Sequence, residues 1–125
     1  MSQVLLADDD VTQLDLRKQL LESAGHKVAV AFHPAQVLRQ LEKGWADLII
    51  MDLRFPDAEG EPDHREGLAL IRGIREQGYA GALMVLSGWP EELYGKPEEK
   101  LVSRVMVKPV QARGLLEAIE ELAMV

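Results

Sequence analysis

The stretch Asp47-Leu-Ile-Ile-Met-Asp52-Leu-Arg-Phe-Pro56 constrains the fold more than any other part of the chain. Four apolar residues, Leu48 to Met51, stand between two aspartates, and Pro56 closes the block. A short apolar run bounded by turn residues reads as a strand covered on both faces, as in a parallel sheet. Asp52 then projects from the carboxyl end of that strand, where open α/β sheets place their ligands. A second acidic run, Asp8-Asp9-Asp10, ends another apolar segment, Val4 to Ala7.

The remaining residues supply the elements such a strand needs. Gln3–Ala7, Lys27–Ala31, Asp47–Asp52, Ala82–Leu86 and Val105–Val107 read as five strands. Between the first two, Val11, Leu14, Leu16, Leu20 and Leu21 recur near helical spacing, with Asp10 or Thr12 as the cap and Gly25 as the stop. Pro34 suits the first turn of a helix carrying Val37, Leu38 and Leu41 and ending before Gly44. Gly67–Glu76 returns to helical spacing, and Leu115, Leu116, Ile119 and Leu122 mark a last helix running nearly to Val125. Asp57 to Glu66 is polar and breaker-rich, hence a loop. Gly95 and Pro97 interrupt the segment from Pro90 to Arg104, which predicts a short or broken helix. Strands alternating with helices imply an α/β protein, with a five-stranded parallel sheet, right-handed crossovers and helices on both faces. At 125 residues, with no internal repeat and no linker, residues 1–125 read as one domain.

Composition removes several function classes. The chain has no cysteine, so disulfide frameworks and Cys-based zinc or redox sites are excluded. A net charge of −7 argues against direct nucleic-acid binding, which needs a basic surface. No apolar run reaches the roughly 18–20 residues of a membrane span, and no basic segment followed by an apolar stretch suggests a leader. The expectation is an acidic, soluble, cytoplasmic domain.

Four polar features fall at carboxyl ends of predicted strands: Asp8/Asp9, Asp52, Ser87 and Lys108. In a parallel sheet these ends share one edge, so the four converge. Clustered carboxylates raise one another's pKa unless a cation sits among them. Mg²⁺ suits that role, being a hard cation held by a few carboxylates, waters and phosphate oxygens. A lysine and a hydroxyl beside it complete a receptor for a phosphoryl group, with an aspartate able to act as nucleophile. Singly, each feature has a plainer reading: Asp8 as a helix cap, Ser87 as a capping hydroxyl, Lys108-Pro109 as a strand terminator. The joint arrangement is far more specific than its parts.

In this pattern the chain resembles, over essentially its whole length, the receiver domain of two-component response regulators. The resemblance rests on Asp8-Asp9, on Asp52-Leu-Arg-Phe-Pro56, on Ser87-Gly88 and on Lys108-Pro109. It implies a flavodoxin-like doubly wound sheet of strand order 2-1-3-4-5. It implies Asp52 as phosphoacceptor, and Mg²⁺ held by Asp8, Asp9, Asp52 and the backbone carbonyl of Arg54. Ser87 and Lys108 would each contact a phosphoryl oxygen, and the peptide before Pro109 is a candidate for the cis form. The implied donor is a histidine kinase or phosphotransfer protein, and the output an unknown downstream protein or a tethered domain. Such a chain catalyses only its own phosphorylation and dephosphorylation.

Several residues depart from that family. Eleven positions separate Pro56 from Gly67. The family has about four there, so this is an acidic insertion of roughly seven. It reads either as a tolerated surface insertion, since loop length costs little stability, or as a segment that binds a partner or gates the site. Val105 stands where the family's switch aromatic would be, three residues before the lysine, and the fourth helix of the family is broken. Arg54 and Trp89 occupy the positions where the family tunes phosphoryl lifetime; Arg54 is able to pair with the phosphoryl group and Trp89 to shield it. His26, His33 and His64 show no metal-ligand spacing and read as solvated surface. Two other functions fit the same residues. One is a receiver-like interaction module that signals independently of phosphorylation. The other is a different aspartyl-nucleophile phosphotransferase or phosphatase, disfavoured because Asp52 is not followed by a second aspartate two residues on.

Overall fold

A computed structural model describes residues 2–123. Its elements are β1 (Gln3–Ala7), α1 (Val11–Ser23), β2 (Lys27–Ala31), α2 (Pro34–Leu41), β3 (Leu48–Asp52), β4 (Phe55–Pro56), β5 (Pro62–Asp63), α3 (His64–Glu76), β6 (Ala82–Ser87), β7 (Arg104–Val107) and α4 (Ala112–Ala123). Two 3₁₀ turns, Pro90–Glu92 and Pro97–Leu101, lie between β6 and β7. The five long strands form one parallel sheet in the order β2-β1-β3-β6-β7. Counting only those strands, this is the expected 2-1-3-4-5 order.

Alternation along the strands divides the core in two. Leu5, Ile49, Met51, Leu83 and Val85 face α2 and α3, where they meet Val37, Ile71 and Ile74. Val4, Leu6, Ile50, Met84 and Leu86 face α1 and α4, meeting Leu14, Leu21, Leu115 and Ile119. Leu48 to Met51 are all buried, as a strand covered on both faces requires.

The structure corrects the sequence reading at particular points. In α1 only Leu14 and Leu21, seven residues apart, are buried. Leu16 is 55% exposed because it lies about 200° around the helix from Leu14, and Val11 in the first turn is 62% exposed. Residues 62–66 are not loop. Pro56 and Phe55 pair antiparallel with Pro62 and Asp63, making a small ribbon, and α3 begins at His64 rather than Gly67. The ribbon turns at Gly60, where φ is +82°, while Asp57 Oδ1 accepts hydrogen bonds from the Glu59 and Glu61 amides. Asp63 caps α3 by accepting from the Arg65 amide at 2.8 Å.

Between β6 and β7 the helix is broken as predicted, with Gly95 at φ +80° separating the two turns. This segment is nevertheless fastened down. Leu93 is fully buried, Glu98 pairs with Arg72 of α3, and Arg75 Nε donates to the Leu101 carbonyl at 2.9 Å. Lys108–Pro109 is cis. The last helix is described to Ala123; its expected continuation toward Val125 lies outside the described residues.

One contact between helix and sheet is backbone on backbone. A methyl group built on Gly67 would lie 1.9 Å from the Leu53 carbonyl oxygen, immediately after β3. Overpacking of this kind typically costs about 1–3 kcal/mol, and here a backbone atom rather than a flexible side chain must yield. Gly67→Ala is therefore expected to destabilise the domain by about 2–3 kcal/mol or more. Urea unfolding monitors it, as a lowered midpoint at unchanged slope; an unaltered midpoint would contradict the contact.

Candidate functional site

Strand register assembles the site. Ala7 is level with Met51, so Asp8 and Asp52 stand side by side just past the buried parts of β1 and β3. Asp52 is level with Leu86, which puts Ser87 one step further on, and Ser87 is level with Val107. Lys108 follows, its amide donating to the Ser87 carbonyl at 2.9 Å. The lysine stem spans this stagger, and Nζ lies 3.1 Å from Asp52 Oδ2 and 3.7 Å from Asp8 Oδ2.

Asp8 is 1% exposed and well partnered. Its Oδ1 accepts from the Asp10 amide at 2.9 Å and its Oδ2 from Arg17 Nη1 at 2.9 Å. Asp52 Oδ1 accepts from the Leu53 amide at 2.7 Å. Asp9 opens to solvent at the rim. One carboxylate oxygen from each of Asp8, Asp9 and Asp52 lies within 4.8 Å of the others. Three carboxylates at that spacing can hold a hard divalent cation and leave sites for water or phosphate oxygens. The donor set therefore fits Mg²⁺.

Electrostatics carry the same message. Burial pushes the Asp52 carboxyl above the ordinary aspartate value; Lys108 opposes the rise and the Asp8 charge adds to it. At Asp9, partial desolvation at the rim comes first, followed by the Asp8 charge, and both push its carboxyl upward. At both carboxyls burial leads and the Asp8 charge adds to it, so a cation placed among them would favour their ionised forms.

The hydroxyl and the rim complete the picture. Ser87 is 1% exposed, and its Oγ accepts from the Trp89 amide at 3.0 Å. This local bond satisfies the capping role while leaving the hydroxyl proton free to donate. Arg54, two residues past Asp52, turns its side chain outward. Nε and Nη2 make paired hydrogen bonds of 2.9 and 2.8 Å to the Glu92 carboxylate. The guanidinium carbon lies 3.5 Å from the centroid of the Trp89 ring. Asp52, Arg54, Trp89, Lys108 and Arg17 line one groove of about 720 Å³.

Sequence reasoning named Asp8, Asp9, Asp52, Ser87 and Lys108, and the fold brings these to one edge. It missed Arg17, although a signal exists: Arg17 lies seven residues, two helical turns, beyond the cap Asp10, hence on the same side of α1. It also missed Glu92, whose spacing from Arg54 only the tertiary structure closes. The histidines need correction. His64 Nδ1 lies 3.2 Å from Glu92 Oε2, and half-buried His26 accepts the Ser2 amide at 3.0 Å through Nδ1. His33 is exposed, as expected.

Comparison with known proteins shows the family. The response regulator receiver domain family matches residues 4–120. The chain belongs to that family. It is 29% identical over 122 residues to the sensory/regulatory protein RpfC of Xanthomonas campestris, covering 96% of this chain and 16% of RpfC. It is 29% identical over 120 residues to the transcriptional regulatory protein GlrR of Escherichia coli, covering 94% and 25%. The chain thus spans a quarter or less of these relatives' lengths. Among solved structures it resembles the response regulator TrrA of Thermotoga maritima at a TM-score of 0.82 and 21% identity, over 98% of this chain and 99% of TrrA. A CheY-like receiver domain from Methylobacillus flagellatus gives 0.82 and 22%, over 98% of each chain.

The raised carboxyl of Asp52 has a consequence for stability. From the ordinary value of 3.8 up to the raised folded value, the native protein binds more protons than the unfolded chain, so stability falls as pH rises through that window. Asp52→Asn is expected to raise the melting temperature at about pH 7 in chelator-treated protein, and to lose that gain near about pH 3. An equal or lower melting temperature at neutral pH would show that the Lys108 contact outweighs the burial of charge.

Proposed function

We propose that this receiver domain is a phosphoacceptor in a His-to-Asp relay, with Asp52 taking the phosphoryl group. The observation carrying this reading is the meeting of Asp8, Asp9 and Asp52 within 4.8 Å, with Lys108 Nζ 3.1 Å from Asp52. In the transfer, an Asp52 oxygen attacks phosphorus and the bond from phosphorus to the donor's histidine nitrogen breaks. The imidazole keeps the bonding electron pair, and Asp52 becomes an acyl phosphate. Lys108 sits where it can neutralise charge on the transferring oxygens, and the Ser87 hydroxyl can donate to one of them. Mg²⁺, held by Asp8, Asp9, Asp52 and the Arg54 carbonyl, would offset the phosphoryl charge.

The donor would be a histidine kinase or phosphotransfer protein. In support, one similar protein is named a probable histidine kinase, from Oryza sativa, although it matches only 47% of this chain at 27% identity. The resembling TrrA structure is described as a complex with Mg²⁺ and BeF, a combination that suits the acid cluster here. No helix among the described residues is long and apolar enough to cross a membrane, which suits a cytoplasmic setting. The domain would act as a catalyst only toward its own phosphoryl group. Its output would pass to an unidentified downstream protein or a tethered domain.

Intact mass spectrometry after incubation with acetyl phosphate and Mg²⁺ tests this directly. The expected result is a gain of about 80 Da on the wild type, absent from Asp52→Asn and strongly reduced in Lys108→Ala. A wild type that gains no mass would instead favour the phosphorylation-independent interaction module.

A further inference from the structure

The acidic insertion does not hang free of the site. Its ribbon, β4 and β5, ends at Asp63, and the next residue, His64, lies 3.2 Å from Glu92 Oε2. Glu92 in turn holds Arg54 through two hydrogen bonds, and the Arg54 guanidinium carbon lies 3.5 Å from the centroid of the Trp89 ring. The chain of contacts Trp89–Arg54–Glu92–His64 therefore joins the segment after β3, the segment after β6 and the start of α3. Arg54 and Trp89 also line the groove that contains Asp52 and Lys108.

Each link restricts the next. A bidentate guanidinium–carboxylate pair fixes the plane of the guanidinium, not only its position. A ring with its centroid 3.5 Å from the guanidinium carbon is held by the cation's field and by contact area. Glu92 is itself anchored, since it closes the 3₁₀ turn that begins at Pro90 and the next residue, Leu93, is fully buried. Its carboxyl is held below the usual range, first by the Arg54 hydrogen bonds. Trp89 is 49% exposed, so the Arg54 guanidinium is a main contact fixing its side chain.

We propose that Glu92 is a positioning residue for phosphoryl turnover at Asp52. It aligns Arg54, and through Arg54 the Trp89 ring, as a cover over the mouth of the groove. The reaction it slows is hydrolysis of the acyl phosphate. A water oxygen attacks phosphorus, the bond from phosphorus to Asp52 oxygen breaks, Asp52 leaves as a carboxylate, and inorganic phosphate departs with the water's protons. In-line attack needs a water on the open side of phosphorus, and an ordered cover reduces its access. His64 ties this cover to the inserted ribbon. The proposal rests on Asp52 being the phosphoacceptor.

The test uses the full chain, phosphorylated with acetyl phosphate and Mg²⁺ and then desalted, with decay of the added mass followed over time. Glu92→Ala is expected to shorten the half-life by about fivefold and Trp89→Ala to a similar extent. The double variant should decay no faster than either single one, because both act through one unit. Glu92→Gln, which keeps one acceptor oxygen, should fall between wild type and Glu92→Ala. Glu91→Ala removes a neighbouring exposed charge and should leave the half-life unchanged. Acrylamide quenching of Trp89 in a Trp45→Phe background gives a readout independent of turnover, and should increase in Glu92→Ala. A Glu92→Ala half-life within about twofold of wild type would overturn the proposal while leaving Asp52 as phosphoacceptor. So would effects of Glu92→Ala and Trp89→Ala that multiply. If the wild type never gains the mass, the proposal falls together with the phosphoacceptor reading.

Discussion

Like charges crowded at one edge of the sheet are the constraint on which the rest of this structure depends. Asp8, Asp9 and Asp52 bring their carboxylates within 4.8 Å, and Asp8 is almost wholly buried. Such a cluster is stable only if cations and amide donors surround it. The fold supplies them from four places: Arg17 from α1, Lys108 from beyond β7, and the amides of Asp10 and Leu53. Even so, Asp52 and Asp9 remain pushed upward, a residual strain that a divalent cation would relieve. Under the proposed function, the same crowding would favour binding of a metal ion among these carboxylates.

The segments around those charges differ from the pattern expected of the family. Where a receiver of this family carries a fourth helix, this chain has two short 3₁₀ turns, the second pinned to α3 by Arg72 with Glu98 and by Arg75 with Leu101. Val105, in place of an aromatic, packs against the core. An acidic ribbon is added beside the site and connected to it through His64 and Glu92. The acidic set, the hydroxyl and the lysine that the proposed function needs thus all stand at one edge, while the elements beside them are arranged differently. Arg54, Glu92 and His64 join the rim of the site to the start of α3, directly after the ribbon.

How much of this was legible in the sequence depended on the range of the interaction. β1 and β2 were readable to the residue and α1 to within its cap, because apolar runs, a capping side chain and a stop glycine are local signals. The helix break was readable from Gly95 and Pro97 for the same reason. The start of α3 was not, since Asp63 serves as its cap only once β4 and β5 have paired and turned the chain at Gly60. Leu16 was read as one of the apolar positions of α1, because near-helical spacing does not reveal which face the sheet covers. His64 was dismissed because nothing in its neighbourhood announces a carboxylate 28 positions away.

By itself, then, the sequence determined the fold class and the identity of the acidic set with its lysine. Buried parallel strands must be apolar throughout, and chemistry in such sheets gathers at strand ends, so position along the chain sufficed. Tertiary structure alone decided which of those groups touch and what stands over them. Register placed Asp8 level with Asp52 and set Lys108 two steps further on, within reach of both carboxylates. Packing brought Arg17 to Asp8, and Glu92 to Arg54 and His64. Contacts of this kind arise from the docking of separate elements, and residue order does not encode their distances.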